Sequence, residues 1–160
     1  LKAASLLNKE IRTYIDNIIN YDKIERFALR FSDIHLNKNN ESFHVKNRIL
    51  NTITPEGIKL FTDTIDYYCD EVIVIKDSYY ISDILLTSIY KNAADKKINT
   101  VICRNPMNPE NKISHLIFPD LRLGIFTSDY YLNIKGNKTV STTRFLNTDE
   151  LNKIKNINFL

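Results

Sequence analysis

The best-placed chemistry in this chain lies in a short junction, Asp77, Ser78, Tyr79, Tyr80, Ile81, Ser82 and Asp83. It separates an apolar run, Val72-Ile73-Val74-Ile75, from a segment with helical spacing that begins Ile84-Leu85-Leu86. A strand entering a helix is where nucleotide-binding folds set a glycine-rich phosphate loop, because amide N–H groups and the helix dipole converge there. Such a loop needs glycines, whose backbone angles let successive amides turn inward, a lysine for the outer phosphates, and a hydroxyl for magnesium. This junction has no glycine and no lysine; Gly57, Gly124 and Gly136 all lie elsewhere. Asp77 and Asp83 would repel a triphosphate, and Tyr79 or Tyr80 is expected to fill the volume of its β-phosphate. A competing reading lets Lys76, Ser78 and Ser82 hold an anion at the helix N-terminus. The plainer reading, a helix start capped by Ser or Asp and packed by tyrosines, is preferred, and it assigns no cofactor.

The remaining reactive side chains do not assemble into a constellation. His35, His44 and His115, with Cys69 and Cys103, show no metal-ligand spacing, so the histidines are expected to be structural and no metal is assigned. Cys103 is the best nucleophile candidate, since Arg104 beside it would lower its pKa, yet a small core thiol is the commoner use of such a residue. Asp120 and Asp129 follow apolar strands, where layered α/β sheets place ligands, but aspartate is also a frequent turn residue. No catalytic residue is assigned. The pairs Tyr67-Tyr68, Tyr79-Tyr80 and Tyr130-Tyr131 place one ring inward and one outward, which favours a protein interface over a row of base-stacking rings.

The elements that must position these groups are legible from periodicity. Leu6, Leu7, Ile11, Tyr14, Ile15, Ile18 and Ile19 predict an amphipathic helix over about residues 2–20. Asp22 is expected to cap a second helix carrying Ile24, Phe27, Ala28 and Phe31. Together they form a helical hairpin, assigned to residues 1–36, ahead of an α/β domain over 43–160. Phe43 to Ile53 alternates like a strand in part. Thr54-Pro55-Glu56 predicts a helix start, with Ile58, Phe61, Ile65 and Tyr68 facing inward as far as residue 69. Strands are expected at 71–76, 100–103, 115–118 and 123–127 as neighbours in one sheet, with helix 84–95 against it. A late strand (139–145) and a short helix capped at Thr148-Asp149-Glu150 complete the chain. Strands that are apolar throughout imply a sheet covered on both faces.

Composition bounds the rest. A chain of 160 residues, 43% hydrophobic and 26% charged, is ordinary globular material with enough length for a sizeable core. The net charge of +3 is scattered, and the longest basic run is Lys96-Lys97, so a nucleic-acid partner is not favoured. Nothing approaches the ~20 apolar residues of a membrane span, and two isolated cysteines fit a reducing compartment. The expected location is therefore cytoplasmic. Because the chain opens at Leu1 already in helical pattern, it is expected to be a piece of a longer protein.

An ordered series of short patterns extends from Ala3 to Phe126. His44 precedes an apolar stretch and then Ile53-Thr54-Pro55-Glu56-Gly57, followed by strand Val72 to Lys76. Next come Cys103, Pro106, Pro109-Glu110 and finally His115-Leu116-Ile117-Phe118-Pro119-Asp120-Leu121. In this order the chain resembles the second half of a family of bacterial proteins built from two tandem P-loop ATPase-like halves. That family has no assigned physiological role. Its Ala-Ile-Thr-Pro-Lys-Gly, Cys-Pro-x-Asp-Pro-Glu and His-x-Ile-x-Pro-Glu-Leu segments are the counterparts, while its Gly-x-Pro-Gly-x-Gly-Lys-Ser-Thr is replaced here by Asp77 to Ile84. Residues 127–160 lie outside the resemblance. The resemblance implies a P-loop NTPase-like layered sheet with a degenerate Walker A segment. Its function would be that of a non-catalytic half acting as a structural or regulatory partner of an active ATPase half, either a missing first half or a second copy. The alternative is an anion- or nucleic-acid-binding module that reuses the vacant phosphate site.

Overall fold

A computed structural model describes residues 12–37, 40–130 and 132–157. The fold is α/β: a six-stranded sheet with helices packed on it and a small two-stranded hairpin beside it. In chain order the elements are α1 (helical over 12–18), α2 (Tyr21–His35), β1 (Val45–Arg48), β2 (Asn51–Thr54), β3 (Gly57–Leu60), α3 (Thr62–Tyr68), β4 (Glu71–Lys76), α4 (Ser82–Asp95), β5 (Thr100–Arg104), β6 (Ile113–Phe118), β7 (Leu123–Ser128), β8 (Lys138–Ser141) and α5 (Thr148–Ile157). A 3-10 turn, Thr142–Phe145, links β8 toward α5.

The sheet order is β1-β5-β6-β7-β4-β8. β1 runs parallel to β5, and β7, β4 and β8 run parallel to one another, so β6 alone opposes the other five. The four central strands are thus the four expected neighbours. Both faces are covered, as strands without alternation require. On one face Ile73, Ile75, Leu116, Phe118 and Ile125 join Leu85, Leu86 and Ile89 of α4 and Ile24, Ala28 and Phe31 of α2 in one core. On the other, Ile117, Phe126 and Cys103 meet Leu50, Ile65 and Cys69. Gly124 makes that second face possible, since a Cβ there would lie 2.7 Å from Cys69 Sγ and against the Phe126 ring.

Four expectations need correction. The helix expected from residue 55 is instead a β-hairpin, with Thr54 opposite Gly57 and Pro55-Glu56 as its two-residue loop; helix begins only at Thr62. Gly57 sits at φ +121°, a conformation nearly closed to residues with a Cβ, so the backbone turns there rather than entering a helix. Proline and glycine in these positions are turn chemistry, and turn chemistry overrode the apolar spacing. The cap of α2 is Asn20, whose Oδ1 accepts from Lys23 N at 2.9 Å, not Asp22. Likewise Asn147 Oδ1 accepts from Asp149 N at 3.1 Å and Glu150 N at 3.4 Å, so it caps α5 in place of Thr148. The late strand also ends early, at Ser141.

The expected N-terminal helix lies partly outside the described residues, with only 12–18 inside. Of its described apolar residues, Ile15, Ile18 and Ile19 are buried in the same core as the sheet, while Tyr14 is exposed. The turn of the helical hairpin is also tied to the C-terminal segment, by Asn20 N to Phe145 O (2.8 Å) and Asn147 N to Ile18 O (2.9 Å). Among the described residues, the hairpin's apolar face therefore covers its own sheet.

Candidate functional site

The parallel strands end at a common edge, and there the β4–α4 junction meets the segments after β5 and β7 in a cleft of ≈ 280 Å³. Ligands of layered α/β sheets lie at this end of the strands. Asp77 organises the junction. Its Oδ1 accepts from Ile81 N and its Oδ2 from Ser82 N, both at 3.1 Å. Its own N–H is held by Ser128 O at 2.9 Å, which ties the ends of β4 and β7. The fully buried Thr142 hydroxyl lies 3.3 Å from Asp77 Oδ1 and accepts Ser78 N–H at 3.2 Å.

Two amides at the start of α4, those of Ile81 and Ser82, are therefore satisfied by an anion of the chain itself. An N-terminal carboxylate of this kind caps a helix for the same electrostatic reason that a phosphate binds there. The Tyr79-Tyr80 pair divides as expected, one ring inward and one outward, and Tyr80 lines the cleft. Tyr79 packs against the core, whereas Tyr80 is 58% exposed and left-handed at φ +55°, its carbonyl accepting from the Arg12 guanidinium. Asp77 takes the amides of Ile81 and Ser82, and Thr142 that of Ser78. Ser82 is buried and faces the cleft, and the Ser78 side chain is exposed.

Asp83 also lines the cleft, and burial raises its pKa above the ordinary carboxylate value, against the opposing pull of Lys112 and Arg12. Asp129, after β7, lines it too and accepts from Leu132 N at 2.8 Å. Asp120 lies at the opposite end of the sheet, because β6 runs the other way; its Oδ2 takes Asn99 Nδ2 at 2.8 Å and Asn40 Nδ2 at 3.1 Å, a structural knot. Among the described lining residues Lys112 is the single cation beside these carboxylates, with Arg12 near enough to act on Asp83.

The sulfur candidates fall away. Cys103 is buried and its thiol is pushed up to about 12, first by burial and then by Cys69, the reverse of what an activated nucleophile requires. Arg104 turns away to Asn47 Oδ1 at 2.9 Å. Cys69 is raised to about 11 by burial. Among the described residues no group of three His, Cys, Asp or Glu could hold a metal ion.

The histidines do not share one role. His35 stacks on Phe31 at 4.6 Å, and its pKa is lowered by burial. His44 lies exposed before β1, its N–H held by Asn99 Oδ1 at 2.8 Å. His115 is 1% exposed in β6, with Nδ1 accepting Thr127 N–H at 3.1 Å, and burial lowers its pKa to about 3. It lines the cleft, as do Asn51 and Thr127. Sequence reasoning did not single out Asn51 or Thr127, and it read His115 as structural without placing it at the cleft. A histidine inside the apolar run Ile113 to Phe118 was the available signal, because a buried polar group is more informative than an exposed apolar one.

No family model, curated protein or solved structure matches this chain. Among the described residues no helix is long and apolar enough to cross a membrane.

Proposed function

We propose that this chain is a non-catalytic, P-loop-like domain, a degenerate NTPase half that acts as a structural or regulatory partner of an active ATPase half. One observation carries the reading: the α4 N-terminus, where such folds bind phosphate, is capped from within by the Asp77 carboxylate on the amides of Ile81 and Ser82. A triphosphate would have to displace that carboxylate and would meet Asp83 and Asp129 without a loop lysine. The sequence's best nucleophile candidate, Cys103, is buried with its thiol raised, which fits a non-catalytic role. The ordered motif resemblance between Ala3 and Phe126 suggests the kind of partner, a half with an intact phosphate loop.

A magnesium-dependent ATP hydrolysis assay tests this reading. The purified chain alone gives no turnover above a blank, and adding it to an intact ATPase half of the family it resembles changes that half's rate. Turnover by the chain alone would overturn the proposal, as would the absence of any effect on, or binding to, the active half.

A further inference from the structure

Four buried side-chain polar atoms have no hydrogen-bond partner among the described residues: Asn51 Oδ1, Asp83 Oδ1, His115 Nε2 and Thr127 Oγ1. All four belong to residues lining the one cleft at the end of the parallel strands. They arrive from four elements, β2, α4, β6 and β7. Buried polar groups are almost always paired, and each one left bare costs about 1–3 kcal/mol. Unrelated packing defects would be scattered through the core. Four that converge on one cavity describe a binding site.

We propose that this cleft binds a small neutral ring compound with a carboxamide or cyclic-amide edge, whose C=O accepts from His115 Nε2 and whose N–H donates to Asn51 Oδ1. The polarity of the lining selects that chemistry. His115 Nδ1 already accepts from Thr127 N–H, so the neutral ring carries its hydrogen on Nε2 and presents a donor. Asn51 Oδ1 presents an acceptor, and the Thr127 hydroxyl can serve either way. A ligand must therefore offer an acceptor and a donor together.

Charge narrows the class further. An anion would face three lining carboxylates, Asp77, Asp83 and Asp129, against Lys112 in the lining and Arg12 beside it, while a cation with donors only would leave the His115 N–H unanswered. Size and walls do the rest. At ≈ 280 Å³ the cleft sits near the low end of the ~300–1,000 Å³ typical of ligand pockets, and Ile58, Pro106 and Ile113 supply apolar sides for a flat ring. This inference is independent of the ATPase-partner reading, since it concerns groups beside the capped helix start and requires no second protein.

Three near-isosteric probes, benzamide, benzoate and benzamidine, test it by calorimetry and by NMR titration of the labelled chain. Benzamide is expected to bind and to shift the His115 Nε2–H resonance together with the Asn51 and Thr127 signals. The benzoate anion and the benzamidine cation should bind at least about tenfold more weakly, the loss expected for one unpaired buried hydrogen bond. His115→Phe should weaken benzamide by about tenfold or more; if that variant does not fold, Asn51→Leu gives the same reading. Several results would overturn the proposal: no benzamide binding at millimolar concentration, benzoate or benzamidine binding as tightly as benzamide, an unmoved His115 resonance, or unchanged affinity in a folded variant.

Discussion

Asp77 holds two backbone amides at the start of α4, those of Ile81 and Ser82, with one carboxylate, and under the proposed reading those amides are thereby withheld from an external anion. Asp77→Ala should remove both bonds and destabilise the chain by about 1–2 kcal/mol, the usual size of a lost N-cap, as read from the urea midpoint at unchanged slope. An unchanged midpoint would show that the cap contributes nothing. The composition of this junction was legible in the sequence, because missing glycine and lysine are absences of type. Which side chain would take the amides was not, since Asp77 reaches Ile81 and Ser82 only once Tyr80 adopts a left-handed turn that no residue there favours. The partner of His115 was not legible for a related reason, as Thr127 N–H is brought beside it only by the β6–β7 pairing. Its burial has a consequence for acid stability. The unfolded chain protonates this ring near the ordinary value of 6.5, the folded chain only near about 3, so protons favour unfolding between those limits. Stability should fall as pH drops through that window, by up to about 1.4 kcal/mol per pH unit from this group. Asp83, raised by burial, works in the opposite sense, which makes the variant comparison necessary. His115→Gln should flatten the acid limb measured by thermal or urea unfolding at stepped pH; an identical pH profile in wild type and variant would contradict the assignment.

At the scale of elements, the strands were legible and the boundary near residue 55 was not. Val72 to Ile75, Val101 to Cys103 and Leu123 to Phe126 are apolar on consecutive residues, which in so short a run means a strand covered on two faces. Between residues 51 and 68 two periods compete. Ile58, Phe61, Ile65 and Tyr68 fit a helix, whereas Ile53, Ile58 and Leu60 also fit a hairpin about Pro55-Glu56, and the glycine at φ +121° decides for the hairpin. Gly57→Ala should therefore cost about 1 kcal/mol or more through strain alone, because open space surrounds the added methyl. Gly124→Ala fails for the opposite reason. Its backbone is ordinary, but the added carbon would press on Cys69 Sγ and the Phe126 ring, so a loss of about 1–3 kcal/mol is expected. Thermal unfolding of the two variants should separate the mechanisms: Cys69→Ala ought to recover part of the loss in Gly124→Ala and none in Gly57→Ala. Equal recovery in both would show that the packing explanation is wrong.

For the whole molecule, the sheet sets what the cleft can be. Five strands share a direction and β6 opposes them, so the ends of β4, β5 and β7 and the beginning of β6 gather around one cavity, while Asp120 is carried to the far side. Strand order across such a sheet is a long-range property that periodicity does not encode, which is why Asp120 and Asp129 looked equivalent in the sequence and are not. The α2 helix shares one buried core with α4 and the sheet, and Lys96 Nζ clasps its C-terminal turn through Ser32 O at 3.0 Å and Asp33 Oδ1 at 2.9 Å. The proposed reading, that Asp77 holds amides a phosphate would otherwise take, meets its most direct test in isothermal titration of the chain with ATP and magnesium. The account predicts no specific binding, with heats that match dilution throughout. A saturable isotherm of micromolar affinity, about −8 kcal/mol, would contradict it.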